Sequence, residues 1–119
     1  MLRIAVLGCG RIGQLHAANV ARHPRAELLA VYDVNQQAAE TDAKALGIKA
    51  AASAAEVFRS SDVNAVLIAT ATPTHPDYIE MAVAAGKPAL CEKPINLSLS
   101  RVNACAAKIG NTPLPIQIG

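Results

Sequence analysis

Apolar β-type runs alternate with helix-patterned segments along the whole chain, and this alternation constrains the fold more than any other feature. The predicted strands are almost continuously apolar, as strands buried on both faces must be. Strand–helix alternation with short connections predicts a parallel sheet with helices on both faces, and right-handed crossovers leave few topologies. We therefore expect one α/β domain over 1–119, a doubly wound parallel sheet of about six strands.

The individual elements follow from this pattern. It predicts strands at 2–7, 27–32, 49–51, 65–69, 89–91 and 116–118. It predicts helices at 11–21, 36–46 and 76–85, a helix opened by a capping box from Ser53 to Glu56, and a last helix from Ser98 or Ser100 to about 109. Gly47 and Gly86 are placed to end the second and fourth helices.

The sixth strand has barely begun when the sequence reaches Gly119. We therefore expect the chain to be the front part of a longer protein. A short edge strand that ends naturally is the alternative.

Composition argues against several functional classes. The chain has 119 residues, 52% hydrophobic and 17% charged, which is enough apolar material for a core and is not typical of disorder. A net charge of +2 without a basic run, and only 3% aromatic residues, do not suggest a nucleic-acid partner. No apolar run reaches the ~18–20 residues of a membrane span, and no signal peptide is visible, so we expect a cytoplasmic protein without a membrane partner.

The cysteines also fit a cytoplasmic protein. Cys9, Cys91 and Cys105 are odd in number and have no C-x-x-C spacing, so they indicate reduced thiols rather than a disulfide frame. No cluster of His, Cys, Asp or Glu has metal-ligand spacing, so we expect no metal.

The segment GCGRIG, from Gly8 to Gly13, fits the pattern G-x-G-x-x-G. It follows a predicted strand directly and opens a predicted helix, as in a dinucleotide-binding β-α-β unit. Gly8 permits the tight turn, Gly10 lets the backbone approach a pyrophosphate, and Gly13 allows the helix to pack closely, with the anion on the helix N-terminus. We expect Cys9 to be a small side chain that fills space in this loop. A thiol at a helix N-terminus can have a lowered pKa, which leaves a redox role open.

Asp33 lies twenty residues after Gly13, at the end of the second predicted strand. A carboxylate at this position can accept hydrogen bonds from both hydroxyls of an adenosine ribose. It would repel a 2′-phosphate, and Val34 and Asn35 supply no cation to offset that repulsion. We therefore expect NAD rather than NADP as the cofactor. The alternative is an ordinary glycine turn followed by an unrelated loop aspartate.

Two further strand ends carry polar residues. The fourth predicted strand is followed by TATPTH, Thr70 to His75, and the fifth by Glu92-Lys93-Pro94. Ligands of open α/β sheets bind at the carboxyl ends of the strands, so both segments fall where the nicotinamide half of a dinucleotide would lie. We expect Lys93 to be aimed into this site, and a solvated loop is the alternative.

The prolines and histidines in and near these two segments predict further details of the site. Pro73 and Pro94 stiffen their loops, and a cis Lys93–Pro94 bond would help to aim the lysine. Three roles are open for His75: contact with the cofactor, a role at the start of the following helix, or proton transfer. We expect His16 and His23 to be structural.

Three segments carry a family resemblance: GCGRIGQLHA, TATPTHPDYIEMAVAAGKPALCEKPI and the closing IQIG. Together they resemble the N-terminal domain of the Gfo/Idh/MocA oxidoreductases over essentially the whole chain. The wording around RIGQLHAANV and LCEKPINL is most similar to the inositol dehydrogenase branch. The resemblance implies two domains, a dinucleotide-binding half and a C-terminal α/β half with an open antiparallel sheet. For the first half it implies a Rossmann-type doubly wound sheet with the strand order 3-2-1-4-5-6. The 119 residues contain no counterpart of the second half.

The resemblance also implies roles for particular residues. The adenosine and pyrophosphate would be held by Gly8, Gly10, Arg11, Ile12 and Asp33, together with Gly13 of the same loop. The path toward the nicotinamide would be lined by Thr70, Thr72, Pro73 and His75. Glu92 would orient its loop or touch the nicotinamide ribose, and Lys93 would lie beside the nicotinamide and the substrate.

The chemistry implied by the resemblance is hydride transfer between C4 of the nicotinamide and a hydroxyl-bearing carbon of a polyol, sugar or cyclitol. A positioned base lowers the barrier to loss of the alcohol proton, and a cation holds the developing alkoxide, so Lys93 is expected to be catalytic. The family's other catalytic residues, an aspartate and a histidine, belong to the C-terminal domain. We therefore expect this chain alone to bind NAD without turnover.

Two other functions remain open at this point. One is a stand-alone NAD-binding module or sensor without catalysis, and the other is a structural or regulatory Rossmann-like domain with a different ligand or none. The carboxyl edge of the sheet and the region of the sixth strand would contact the second half. We expect apolar surface to be exposed there and the chain to form homo-oligomers.

Overall fold

The computed structural model describes all 119 residues, Met1–Gly119, and contains six strands and five α-helices. The strands are β1 Leu2–Leu7, β2 Ala26–Tyr32, β3 Lys49–Ala50, β4 Ala65–Ile68, β5 Ala89–Cys91 and β6 Ile116–Ile118. The helices are α1 Arg11–Arg22, α2 Gln36–Leu46, α3 Ala54–Arg59, α4 His75–Ala84 and α5 Leu99–Ile109, and a 3₁₀ turn, Thr72–Thr74, precedes α4. Every predicted element is present, with ends that differ by at most one residue. None of the helices is both long and apolar enough to cross a membrane.

The strands form one parallel sheet in the order β3-β2-β1-β4-β5-β6. This confirms the predicted doubly wound topology and its strand order. Because every strand runs in the same direction, all the carboxyl ends meet at one edge. The segments that follow β1, β2, β4 and β5 are therefore neighbours in space.

Side chains of the central strands are buried on both faces. In β1, Ala5 and Leu7 belong to the core cluster beneath α3, α4 and α5, whereas Val6 belongs to the cluster beneath α1 and α2. Small residues such as Ala17 of α1 and Ala39 of α2 are fully buried against the second face. Burial on both faces explains why these strands are almost continuously apolar.

Helix ends follow the expected capping chemistry. Gly47 and Gly86 have φ angles of +69° and +71°, which glycine adopts without steric cost. Asn35 accepts the Ala38 N–H at the start of α2. Ser98, and not Ser100, caps α5, because its Oγ accepts the Arg101 N–H at 3.3 Å.

The predicted capping box at α3 forms only in part. Ser53 Oγ accepts the Glu56 N–H at 3.1 Å, as predicted. The reciprocal bond does not reach Ser53, because Glu56 Oε2 accepts the Ala52 N–H at 2.9 Å instead. Glu56 also pairs with Lys49, which draws its carboxylate toward β3, and these two partners lower the pKa of Glu56.

Lys87 is a buried cation that the sequence pattern did not reveal. It is 7% exposed, and its Nζ donates to the carbonyl oxygens of Ser60 and Val63 at 2.8 and 2.7 Å. Burial lowers the pKa of its amine. The lysine connects the segment before β5 to the loop between α3 and β4.

Candidate functional site

The loop between β1 and α1 can be built only with glycine at two positions. Gly8 has φ +106°, and a Cβ there would lie 2.3 Å from the carbonyl oxygen of Ala69. A Cβ on Gly13 would lie 1.8 Å from the carbonyl oxygen of Gly8. In both cases the obstacle is backbone, which cannot move aside as a side chain can. The turn and the close helix packing predicted for Gly8 and Gly13 are therefore present.

Gly10 differs because nothing lies within 4 Å of the Cβ it lacks. The space beside it is open, at the N-terminus of α1. The first helical hydrogen bond runs from Gln14 N–H to the Gly10 carbonyl at 2.9 Å, which leaves the N–H groups of Arg11, Ile12 and Gly13 without an acceptor in the chain. The first turn carries no acidic residue and no side-chain cap. This helix end therefore suits an anion approaching past Gly10.

Asp33 is fixed beside this loop by two backbone donors. Its Oδ2 accepts the Cys9 N–H and its Oδ1 accepts the Asn35 N–H, both at 2.8 Å. Each carboxylate oxygen can accept more than one hydrogen bond, so both can still accept one from a ligand hydroxyl. The two backbone donors thus orient the carboxylate and leave it able to accept further hydrogen bonds.

Cys9 is 3% exposed, and its chemistry differs from the reactive thiol considered above. Burial, followed by the nearby charges of Asp42 and Asp33, raises the pKa of the Cys9 thiol to about 12. These effects outweigh the helix N-terminus, which lowers thiol pKa values. The structure therefore favours the role of a small, neutral filler.

A cavity of about 400 Å³ lies between the glycine loop and α2. Cys9, Gln14, Asn35 and Asp42 contribute to its lining. Asp42 Oδ2 is buried without a hydrogen-bond partner, and burial raises the pKa of this carboxyl. A larger cavity, of about 780 Å³, lies beside the amino ends of β1 and β2, remote from these groups and lined mainly by apolar residues.

The segment after β4 is folded back on itself. The hydroxyls of Thr70 and Thr74 lie 2.6 Å apart, and Thr74 Oγ1 also donates to the Ala71 carbonyl at 2.6 Å. Pro73 is exposed within the 3₁₀ turn and Thr72 is half-buried. Asn96 Nδ2 donates to the Thr72 carbonyl at 3.3 Å, which joins this turn to the segment after β5.

His75 lies inside the protein rather than on the surface of the site. It is 2% exposed, with Nδ1 2.7 Å from the Pro94 carbonyl oxygen and Nε2 2.9 Å from that of Thr70. Of the three roles left open, this position favours the one at the start of α4. The ring connects the segments after β4 and β5, and neither ring nitrogen is free for another partner.

The Glu92–Pro94 segment is held by its backbone. Glu92 N–H donates to the Ile68 carbonyl at 2.9 Å, and Lys93 N–H donates to that of Gly119 at 3.0 Å. The Lys93–Pro94 peptide bond is cis, as the sequence suggested. The Lys93 side chain is exposed and takes part in none of the ion pairs. Its amine is therefore available to a ligand.

The contact between His16 and Glu92 was missed at the sequence level, where His16 was assigned a structural role. His16 Nε2 lies 2.6 Å from Glu92 Oε1, and both side chains are about a quarter exposed. The residues are 76 positions apart, so only the folded topology brings them together. The one available signal was the place of His16 on the helix that the glycine loop opens.

The predicted residues thus form two groups at one edge of the sheet. The glycine loop and Asp33 lie at the ends of β1 and β2, and Thr70–His75 and Glu92–Lys93 lie at the ends of β4 and β5. His16 and Glu92 link the groups. No group of three or more His, Cys, Asp or Glu side chains is placed to hold a metal ion.

A glycine loop that opens a helix, a tethered carboxylate after the next strand and the order 3-2-1-4-5-6 together define a dinucleotide-binding Rossmann domain. A family profile described as "Oxidoreductase family, NAD-binding Rossmann fold" matches residues 2–118. The chain belongs to this family, the Gfo/Idh/MocA oxidoreductases.

The chain is similar to proteins of known name, and to several of known structure. The chain is 41% identical to inositol 2-dehydrogenase of Rhizobium meliloti over 118 residues, which cover 99% of this chain and 36% of that protein. It is also 41% identical to scyllo-inositol 2-dehydrogenase (NAD(+)) of Bacillus subtilis over 120 residues, covering 99% of this chain and 35% of the relative. The chain therefore spans about a third of the length of these curated relatives.

Solved structures agree with this assignment. A myo-inositol dehydrogenase from Corynebacterium glutamicum superposes with a TM-score of 0.94 at 45% identity, over 100% of this chain and 36% of that one. A scyllo-inositol dehydrogenase from Lactobacillus casei, solved with bound NAD(H) and scyllo-inositol, gives a TM-score of 0.92 at 30% identity over the same shares.

Proposed function

We propose that residues 1–119 form the NAD-binding domain of a longer, two-domain oxidoreductase that transfers hydride between NAD and a hydroxyl-bearing carbon of a sugar or cyclitol. The observation that carries the cofactor assignment is the pairing of an open Gly10 with a tethered Asp33 at one edge of the sheet. Inositol is the favoured substrate because the similar proteins at 41% identity are inositol dehydrogenases. The two-domain organisation is supported by the share of those proteins, about a third, that this chain matches.

The preference for NAD over NADP rests on charge. The Asp33 carboxylate accepts two backbone N–H groups, so it favours ribose hydroxyls and repels a 2′-phosphate. Val34 and Asn35, which follow it, carry no positive charge. An NADP-binding site would need a cation here.

Lys93 is the residue of this chain that we assign to the reaction itself. When bound, NAD supplies the carbon that accepts the hydride. The exposed and unpaired Lys93 amine supplies a positive charge for the developing alkoxide, and it can relay the alcohol proton. Gly10, Arg11 and Ile12 bind the pyrophosphate through the N–H groups of the α1 N-terminus.

We further propose that this chain alone binds the cofactor without turnover, since the resemblance places the other catalytic residues in a second domain. Ile12, Val34, Leu97 and Ile118 are exposed apolar residues close to the ends of the strands. Such a surface favours association, so we propose homo-oligomers. A cytoplasmic location and the absence of nucleic-acid and membrane partners complete the proposal.

A thermal-shift titration with NAD and NADP tests the cofactor assignment. At ~100 times its dissociation constant, a ligand stabilises the fold by roughly 2.7 kcal/mol, which raises the Tm of a domain of this size by several degrees. We expect this shift with NAD and little with NADP. Asp33→Asn should weaken NAD binding by roughly 10- to 100-fold, because charge-assisted hydrogen bonds to the ribose are lost.

Asp62→Asn is the matched control, because Asp62 is an exposed aspartate in the loop between α3 and β4 and should leave NAD binding unchanged. Equal stabilisation by NADP would overturn the cofactor preference. The absence of any shift with either dinucleotide would remove the support for the whole binding site.

A further inference from the structure

The loop that carries Lys93 is held from two sides by histidines of other elements. His16 of α1 contacts the side chain of Glu92, the residue before Lys93. His75 of α4 contacts the carbonyl of Pro94, the residue after it. Lys93 itself has no side-chain partner. The lysine is therefore the free member of a segment whose two flanking residues are both fixed.

Of these two tethers, the one from His16 reaches across the sheet. The helix α1 follows β1, whereas Glu92 follows β5, and β4 lies between those strands. Neighbouring strands are separated by ~4.8 Å, so the contact spans roughly 10 Å at the carboxyl edge. It joins the helix whose N-terminus is the proposed pyrophosphate site to the segment that presents the proposed catalytic amine.

The chemistry of the contact identifies its hydrogen-bond donor and acceptor. A carboxylate only accepts hydrogen bonds, so His16 Nε2 is the donor to Glu92 Oε1. Glu92 Oε2 makes no hydrogen bond within the chain. One oxygen of Glu92 is thus anchored by His16, while the other remains open to a ligand.

We propose that His16 is a positioning residue that orients Glu92, and through it Lys93, toward the nicotinamide half of the cofactor. The inference rests on the proposed NAD site and adds a coupling between its two halves. In this role His16 makes no contact with the pyrophosphate. Its removal should therefore affect recognition of the nicotinamide half and spare the adenosine half.

The test compares two ligands, ADP-ribose and NAD, by isothermal titration calorimetry on the 119-residue chain. ADP-ribose contains the adenosine and pyrophosphate but lacks the nicotinamide. We expect His16→Leu to weaken NAD binding by about five- to tenfold, because only part of the free energy of the lost hydrogen bond to Glu92 is transmitted to the ligand. ADP-ribose binding should change less than twofold. His16→Gln, which keeps a donor near the position of Nε2, should restore most of the NAD affinity.

His23→Leu is the matched control, since it removes an exposed imidazole at the other end of α1. Equal losses for both ligands in His16→Leu, or no loss for either, would overturn the positioning role. Failure of the conservative His16→Gln variant to recover NAD binding would also count against it.

A second measurement separates this proposal from the cofactor assignment. If the wild-type chain binds neither ligand, the proposed function fails, but the tether can still be measured by amide hydrogen exchange without ligand. The Glu92 and Lys93 N–H groups are hydrogen-bonded to Ile68 and Gly119, so their exchange reports local opening of this segment. We expect His16→Leu to accelerate exchange at both amides at least fivefold and His23→Leu to leave it unchanged. Unchanged exchange in His16→Leu would refute the tether.

Discussion

The two halves of the carboxyl edge are built in different ways. At the ends of β1 and β2, backbone shape defines the site: Gly8 and Gly13 fit only because they lack a Cβ, and the Cys9 N–H fixes Asp33. At the ends of β4 and β5, side chains from distant elements define it, since His75 and His16 hold the segments around Lys93. The first half depends on the fold itself, and the second depends on tethers added to the fold.

This difference predicts how each half fails. A side chain added at Gly8 or Gly13 must displace backbone, so it affects the whole domain. Loss of a tether at the ends of β4 and β5 leaves the sheet intact. It changes mainly the local order of the segments after these strands and the orientation of Lys93. Substitutions should therefore range from global unfolding at the first half to almost no change in stability at Lys93.

The largest effect is expected for Gly13→Ala. The new Cβ would lie 1.8 Å from the Gly8 carbonyl oxygen, and α1 would have to move away from β1. We expect a loss of at least about 3 kcal/mol in the free energy of unfolding, measured by urea denaturation followed by circular dichroism. Gly10→Ala is the control in the same loop. Its Cβ meets nothing within 4 Å, so it should fold normally but bind NAD more weakly. Equal stability of the two variants would contradict the proposed division of roles in this loop.

An intermediate effect is expected for His75→Leu. The ring is 2% exposed and contacts the carbonyls of Thr70 and Pro94, so its loss removes the ring N–H that one of these carbonyls accepts. We expect a destabilisation of roughly 2 kcal/mol and a fall in Tm on the order of 10 °C, measured by calorimetry. His23→Leu provides the comparison, because that histidine is exposed and should change stability by less than about 0.5 kcal/mol. A His75→Leu protein as stable as His23→Leu would show that the buried ring is not a tether.

The same comparison explains what could be predicted from sequence. The strand positions, the glycine loop and Asp33 were predictable because each rests on local spacing: an apolar run, a turn, and a carboxylate twenty residues after Gly13. The cap at Ser98 was predicted only as one of two serines, since either hydroxyl could begin α5. The geometry of its Oγ and the Arg101 N–H selected it.

The remaining features depend on contacts that spacing does not encode. His16 reaches Glu92 over 76 positions, and Lys87 finds its two carbonyl partners across a loop. The open redox role of Cys9 came from its place at a helix N-terminus, whereas burial and two neighbouring carboxylates determine its raised pKa. Burial is a property of the folded chain, so only the structure could decide between the predicted filler and the redox role that was left open, and it favours the filler.

The smallest effect on stability is expected for Lys93→Met, which replaces the charged amine with an uncharged end and keeps a flexible side chain of similar length. The Lys93 side chain is exposed and unpaired, so the Tm should change by no more than about 2 °C. Lys87→Met makes the same chemical change at a buried amine and leaves the Ser60 and Val63 carbonyls without a donor, so it should cost roughly 2 kcal/mol. Thermal unfolding of the two variants measures the contrast directly. If Lys93→Met were as destabilising as Lys87→Met, Lys93 would be a structural lysine, and its amine would no longer be available for the reaction assigned to it.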